Sequence, residues 1–326
     1  MIKFLYTALL ALTLVGCGQM STTKLVDKVK PGTVLVVNQI DATTGGTGTG
    51  FILENNQIIT NYHVVAGNGK IFIYSSNSQR KYDAEVVYHD AVADIAVVRL
   101  RDWELFEQNE MPVNLSFGNS DIMKQGDKVV VIGHPWGLTW TVSEGILSAK
   151  HRRVGINPKF MNQVDANLFQ GNSGGPIFNE KGQVVCVSTM MLAMEGGSYG
   201  FCVPSELVKK VIYDLNAFKE VRWRVLNITA KQSDDGNHVM IGSLDANGAA
   251  AKAGLKIDDK LLSIFTLNNH PNGIRITDMN TLITELALLK GDDEIIRLLI
   301  ERNGEKLMID VKTNHKLSSE YTPDKG

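Results

Sequence analysis

The chain has 326 residues, room for two or three domains at roughly 150 residues each. It is 44% hydrophobic and 21% charged, which excludes wholesale disorder, a collagen-like repeat and a polytopic membrane protein. Lys and Arg number 33 against 35 Asp and Glu, and the formal net charge of -2 comes with no long basic run, so nothing points to nucleic acid as a partner.

At the N-terminus, Lys3 precedes an apolar run from Phe4 to Val15. One positive charge before a short apolar run is the shape of a secretory signal. The run is too short for a spanning helix, which needs about twenty residues. Leu14-Val15-Gly16-Cys17 resembles the lipobox of bacterial lipoproteins. That resemblance implies a signal peptide over 1–16, lipidation of Cys17, and a membrane partner held by acyl chains. The alternative is an ordinary signal in which the Cys is incidental. Gly18 stands where an Asp signals inner-membrane retention, so the expected location is the periplasmic side of the envelope, at the outer membrane. Residues 17–30 are polar and short and read as a tether.

From Gly32 to about Pro204 short β-like runs alternate with Gly, Asn and Asp. Thr33–Val37, Gly50–Leu53, Gln57–Thr60, Lys70–Tyr74, Ala84–Tyr88, Ile95–Leu100, Lys128–Gly133, Gly145–Ala149, Gln183–Ser188 and Gly200–Val203 are predicted strands. Many short strands at this spacing suggest a barrel or sandwich. Ser205 is the expected N-cap of a helix whose apolar face is Leu207, Val208, Val211, Ile212, Leu215 and Phe218. A second region, 221–313, mixes strands with a short Ala-rich helix at Asn247–Ala253 and a longer one over Thr277–Lys290. Asn303-Gly304 reads as a hairpin turn, and 314–326 as a frayed tail.

The sharpest local signal is Gly171-Asn172-Ser173-Gly174-Gly175-Pro176. Glycines around a Ser allow a tight turn and close approach to a substrate. A Ser nucleophile needs a base, and the base an orienting acid. Upstream lie Thr60-Asn61-Tyr62-His63-Val64-Val65 and Asp90-Ala91-Val92-Ala93-Asp94-Ile95. The chain order is therefore His, Asp, Ser. Gly171-x-Ser173-x-Gly175 also fits the nucleophile elbow of α/β-hydrolases, but that motif needs a helix after the Ser and its partners downstream. Here strand, turn and strand follow Pro176, so the elbow is rejected.

With these segments in place, the chain resembles the HtrA/Deg family of trypsin-fold serine proteases with a C-terminal PDZ domain. The matching text includes Thr49-Gly50-Phe51-Ile52, Thr60 to Val65, Asp94-Ile95-Ala96-Val97, Ile132-Gly133-His134-Pro135-Trp136-Gly137, Gly171 to Pro176 and Gly200-Phe201-Cys202-Val203-Pro204. The resemblance implies a mainly β fold: a double antiparallel β-barrel over 31–220, then a small α+β PDZ domain over 221–313. It implies His63 as general base, Asp94 as orienting acid and Ser173 as nucleophile, with the N–H groups of Gly171 and Ser173 as the oxyanion hole. Asp94 is preferred to Asp90 because it directly precedes the apolar strand. The expected partners are unfolded polypeptide substrates, a C-terminal peptide at the PDZ domain, and a homotrimer. Residues 18–50 hold no Phe, Tyr or Trp, so the aromatic contacts usual in such trimers are missing.

His89, His134, His151, His238, His270 and His315 show no metal-ligand spacing and read as surface or loop residues; no metal or cofactor is implied. The specificity pocket should be walled by Asn167–Gln170 and by a loop between Thr189 and Tyr199. Asn167 stands where an Asp selects basic side chains, so a Lys or Arg preference is not expected. Cys186 and Cys202 fall on neighbouring strands; buried free thiols are the expectation, with a disulfide open to an exported protein. The PDZ carboxylate loop falls at Leu226, Asn227 and Ile228, where Asn replaces the family's Gly. Peptide binding and a structural regulatory role both stay open there. The alternative for the whole chain is a PDZ-based chaperone or scaffold with a latent protease domain.

Overall fold

The structure, a computed structural model, describes residues 20–78, 80–153, 160–194, 197–233, 236, 238–267 and 270–321. The expected signal peptide and Cys17 lie outside the described residues.

Helix α1 spans Thr22–Val29. The Ser21 side chain caps it by accepting the Lys24 N–H, and Leu25 and Val29 are buried in the central core. The expected tether is thus an ordered element. Leu25, Val26 and Val29 supply an apolar stripe within a polar segment, and packing rather than composition decides its state.

Six strands close the first barrel: β1 (Thr33–Gln39), β2 (Gly45–Ile52), β3 (Ile58–Thr60), β4 (Lys70–Tyr74), β5 (Tyr82–Asp90) and β6 (Ile95–Leu100). The four-residue helix α2 (Tyr62–Val65) follows β3, and α3 (Trp103–Glu110) follows β6. The second barrel comprises β7 (Lys128–Gly133), β8 (Thr141–Arg152), β9 (Met161–Val164), β10 (Pro176–Phe178), β11 (Val184–Met194) and β12 (Gly197–Pro204). Both walls obey the two-residue period of a strand. In β6, Ala96 and Val98 fill the first barrel while Ile95 and Val97 face the seam between the barrels. In β7, Val129 and Val131 fill the second barrel while Val130 and Ile132 face the same seam.

Helix α4 (Ser205–Phe218) closes the second barrel and buries Leu207, Val208, Val211, Ile212 and Leu215, as the periodicity predicts. Ser205 is its first helical residue rather than its cap: its buried hydroxyl donates to the Gly118 carbonyl and accepts the Ser120 N–H, both at 3.1 Å, stitching the helix to the preceding loop.

The C-terminal region has its own core around Ile241, Leu261, Ile264, Leu282, Leu298 and Val311. Strands β13 (Arg222–Val225), β14 (Ile228–Gln232), β15 (Val239–Leu244), β16 (Lys260–Thr266), β17 (His270–Arg275), β18 (Ile295–Arg302) and β19 (Glu305–Lys312) are accompanied by α5 (Ala249–Lys252) and α6 (Met279–Leu288). The sheet order is β14-β15-β16-β18-β19, with β17 on β16. Asn303 and Gly304 both take positive φ at the β18–β19 turn, as an Asn-Gly hairpin requires. The expected frayed tail is instead strand β20 (Asn314–Leu317) and a turn of 3-10 helix at Ser318–Glu320. β20 pairs with β13. Asn-His-Lys-Leu has little strand propensity of its own, so the pairing partner creates the strand.

Candidate active site

Elements at the seam between the barrels put the predicted base His63 and acid Asp94 in direct contact, while Ser173 reaches them one residue removed, through the Thr189 that bonds Asp94. His63 is the second residue of α2, Asp94 ends the tight β5–β6 turn, and Ser173 lies in the loop between β9 and β10. The loop is fastened across the seam: the Thr49 N–H donates to the Ser173 carbonyl at 2.8 Å, and the Thr49 hydroxyl donates to the Gly171 carbonyl at 2.7 Å. Glycine is obligatory at two points. A Cβ on Gly171 (φ +103) would meet the His134 carbonyl at 2.2 Å, and one on Gly174 (φ +83) would meet Thr60 Oγ1 at 2.2 Å.

Asp94 takes the left-handed conformation, φ 58. In that pose its carbonyl accepts from Asn61 Nδ2 at 2.7 Å and from the Tyr62 N–H at 3.2 Å. Its carboxylate reaches His63 twice: Oδ1 accepts the backbone N–H at 3.0 Å, and Oδ2 lies 2.8 Å from Nδ1. With Nδ1–H given to the carboxylate, Nε2 is the free base position. Asp90, the rejected candidate, does not touch His63; it caps the same turn by accepting the Ala93 N–H at 2.6 Å.

The Ser173 hydroxyl donates to the Thr189 carbonyl at a long 3.4 Å. The Gln170 carbonyl accepts the Trp136 N–H at 2.9 Å. Since a trans peptide points its C=O and the next N–H in opposite directions, the Gly171 N–H faces away from Trp136. Among the described residues, neither the Gly171 nor the Ser173 N–H donates to a protein acceptor.

Two participants escape sequence reading. Thr189 was expected in a pocket loop, yet it sits on β11 and its hydroxyl donates to Asp94 Oδ2 at 2.7 Å. The expected loop between Thr189 and Tyr199 is a hairpin of β11 and β12. His134, expected as a surface or loop residue, does lie in the connection after β7 but is fully buried, with Nδ1 3.0 Å from the Thr49 hydroxyl. Local spacing carries no sign of either contact, because both depend on barrel closure. Asn167 and Phe169, expected walls of the specificity pocket, line a 260 Å³ hollow with Trp136, Leu138 and Val142.

Cys186 and Cys202 are joined in a disulfide, with Cα atoms 5.6 Å apart. The expectation of free thiols gives way because Cys202 pairs directly with Ser188, which sets Cys186 on the adjacent diagonal of the same ladder.

The structure also gathers Leu226, Asn227 and Ile228. They open a 380 Å³ groove between β14 and α6, with Met279, Leu282, Ile283 and Leu286 on the opposite wall. Asn227 takes φ 58, the pose that a glycine would favour. Arg153 of the barrel region and Lys316 and Tyr321 of the C-terminal segment also line this groove.

Residues 48–187 match the family model of the trypsin-like peptidase domain. The solved structure of the HtrA-type protease AlgW with a tripeptide aligns at TM-score 0.72 with 23% identity, covering 94% of this chain and 99% of that one. The fold is that of a trypsin-like, HtrA-type protease. The chain also has curated relatives. A probable periplasmic serine endoprotease, DegP-like, from Chlamydia trachomatis is 32% identical over 279 residues, 81% of this chain and 53% of that protein. A DegP-like relative from Rhizobium meliloti is 31% identical over 295 residues, 86% of this chain and 56% of that protein. The chain thus spans about half the length of these relatives.

Proposed function

We propose that the chain is a serine endopeptidase acting on unfolded exported proteins, with His63, Asp94 and Ser173 as its triad. The carrying observation is the carboxylate of Asp94 bonded to both the backbone and Nδ1 of His63. In this reading Ser173 Oγ attacks the substrate carbonyl as its proton passes to His63 Nε2. The C–N bond breaks as His63 returns that proton to the leaving amine. Water then opens the acyl-enzyme by the reverse sequence. The Gly171 and Ser173 N–H groups, which donate to no protein acceptor among the described residues, would receive the oxyanion; each such donor contributes on the order of 3 kcal/mol.

The finer reading is envelope quality control on the periplasmic side, with a lipid anchor at Cys17 and a PDZ groove at Leu226, Asn227 and Ile228 that takes an extended C-terminal peptide as an added strand on β14. The groove's position on the free edge of β14, opposite α6, supports that role. A second reading, a PDZ scaffold with a latent peptidase, draws on the Ser173 hydroxyl resting on the Thr189 carbonyl.

Hydrolysis of casein by the purified chain beside Ser173→Ala tests the proposal. Turnover should fall by about a millionfold in the variant. Equal activity in both would assign the cleavage to a contaminant. Fluorophosphonate labelling of Ser173 only after addition of C-terminal peptides would select the latent reading.

A further inference from the structure

We propose that Ser318, in the C-terminal segment, is a positioning residue for the catalytic acid: it holds Asp90, and through Asp90 the turn that presents Asp94. The inference rests on the reading of Asp94 as the orienting acid.

The turn is short. β5 ends at Asp90, which pairs with Ile95 at the start of β6, so Ala91 to Asp94 must reverse the chain between them. Its closing contact is the Ala93 N–H on Asp90 Oδ1 at 2.6 Å. The next residue is Asp94 in its left-handed pose, from which its carboxylate meets His63. The direction of the Asp90 carboxylate therefore fixes the Val92–Ala93 peptide, one peptide before the acid.

Asp90 is only 2% exposed. Its second oxygen, Oδ2, takes its hydrogen bond from the Ser318 hydroxyl. Ser318 is itself aimed. Trp223 Nε1–H donates to Ser318 Oγ at 2.9 Å, so the hydroxyl's own proton is left for Asp90. Trp223 is fully buried on β13, and Lys210 Nζ stands 4.3 Å from its ring centroid. Lys210 is in turn paired with the buried Asp214 at 2.9 Å. The segment that brings Ser318 to this point is set by the β13–β20 ladder, where Trp223 pairs with Lys316, and by Tyr321 packed on the central core. A strand beyond the C-terminal sheet thus returns to the peptidase domain and completes a buried polar chain that ends at the acid's turn.

Burial pushes the Asp90 carboxyl up, and the Ala93 N–H and the Ser318 hydroxyl oppose that. Without the hydroxyl, the buried carboxylate has lost the donor on Oδ2, and only the Ala93 N–H, the Trp223 N–H and the charge of Lys210 still favour its ionised form. It then takes a proton or rotates, and either change loosens its hold on the Ala93 N–H. Asp94 is released from a backbone pose that a non-Gly residue adopts only when its surroundings enforce it.

The test compares the purified chain with Ser318→Ala and Ser318→Thr by casein turnover and by the low-field proton resonance of His63 Nδ1–H, the signature of its bond to Asp94. Ser318→Ala is expected to lower kcat by roughly ten- to a hundredfold, as misplacement of a catalytic group does, with KM within about twofold. The resonance should shift upfield or broaden in the same variant. Ser318→Thr, which restores the hydroxyl, should restore both. If Ser318→Ala does not fold, Ser318→Cys, a weak donor of similar size, carries the same comparison. A Ser318→Ala chain that keeps kcat and the resonance overturns the proposal, and so does a Ser318→Thr chain as impaired as Ser318→Ala. If the unaltered chain neither turns over casein nor labels with fluorophosphonate, the endopeptidase reading fails; the resonance comparison still decides the link from Ser318 to Asp94.

Discussion

His134 carries the load beneath the Ser173 loop. The Thr49 hydroxyl spends its one proton on the Gly171 carbonyl, so at the His134 contact it must accept, and the imidazole proton sits on Nδ1. Nε2 is buried with no donor among the described residues, as suits a neutral ring. Burial holds the group down to about 3 from 6.5. The sign follows. Between these pH values the unfolded chain binds a proton that the folded chain refuses, so stability is highest above pH 6.5 and falls as pH drops toward 3. The loss is on the order of 5 kcal/mol across that window. His134→Asn removes the titration. Urea midpoints of the two proteins should diverge above pH 6.5, where the unaltered chain is the more stable, and converge by pH 4. A gap that stays constant from pH 8 to pH 4 would contradict the buried neutral ring.

The β11–β12 hairpin shows how an element supports a site. It supplies Thr189, whose hydroxyl braces Asp94 and whose carbonyl receives the Ser173 hydroxyl, and the Cys186–Cys202 bridge ties its base. Replacing both cysteines by Ala should cost about 3 kcal/mol, the chain-entropy value for a loop of this length. Denaturant unfolding of the double variant checks that figure, and a change below about 0.5 kcal/mol would mean that hydrogen bonding and packing alone hold the hairpin. Elements with an intrinsic period were legible in the sequence. The apolar faces of α4 and of β6 to β7 repeat at 3.6 or 2 residues, and Asn303-Gly304 names its own turn. Elements made by their partners were not. α1 holds its apolar side chains in a polar segment, and β20 exists because β13 lies beside it. The disulfide depended on strand register, which spacing alone leaves open.

At the scale of the whole molecule, the proposed triad residues stood out because each sits in its own sequence motif, whereas Thr189, His134 and Ser318 make their contacts only after distant elements have packed. The same holds for the seam between the peptidase domain and the C-terminal unit. Helix α6 places Ala287 and Leu288 in the core that the barrels share, which draws Glu285 out of water. Burial, and then the charge of Asp121 across the seam, push its carboxyl up to about 7. His270 Nε2 faces Glu285 Oε1 at 3.5 Å, and Oε2 is buried with no donor among the described residues. Here the linkage runs opposite to that of His134. The folded chain holds a proton that the unfolded chain releases above about 4.5, so the stabilisation is complete below that pH and is lost as pH rises through 7. The span corresponds to ~3 kcal/mol. Glu285→Gln stays neutral throughout and keeps the shape. Its denaturation midpoint should match the unaltered chain near pH 4.5 and exceed it at pH 8. An advantage of equal size at both pH values would assign the effect to amide hydrogen bonding. A variant less stable at pH 8 would mean that the Glu285–His270 contact, as an ion pair, outweighs the cost of burying the carboxylate.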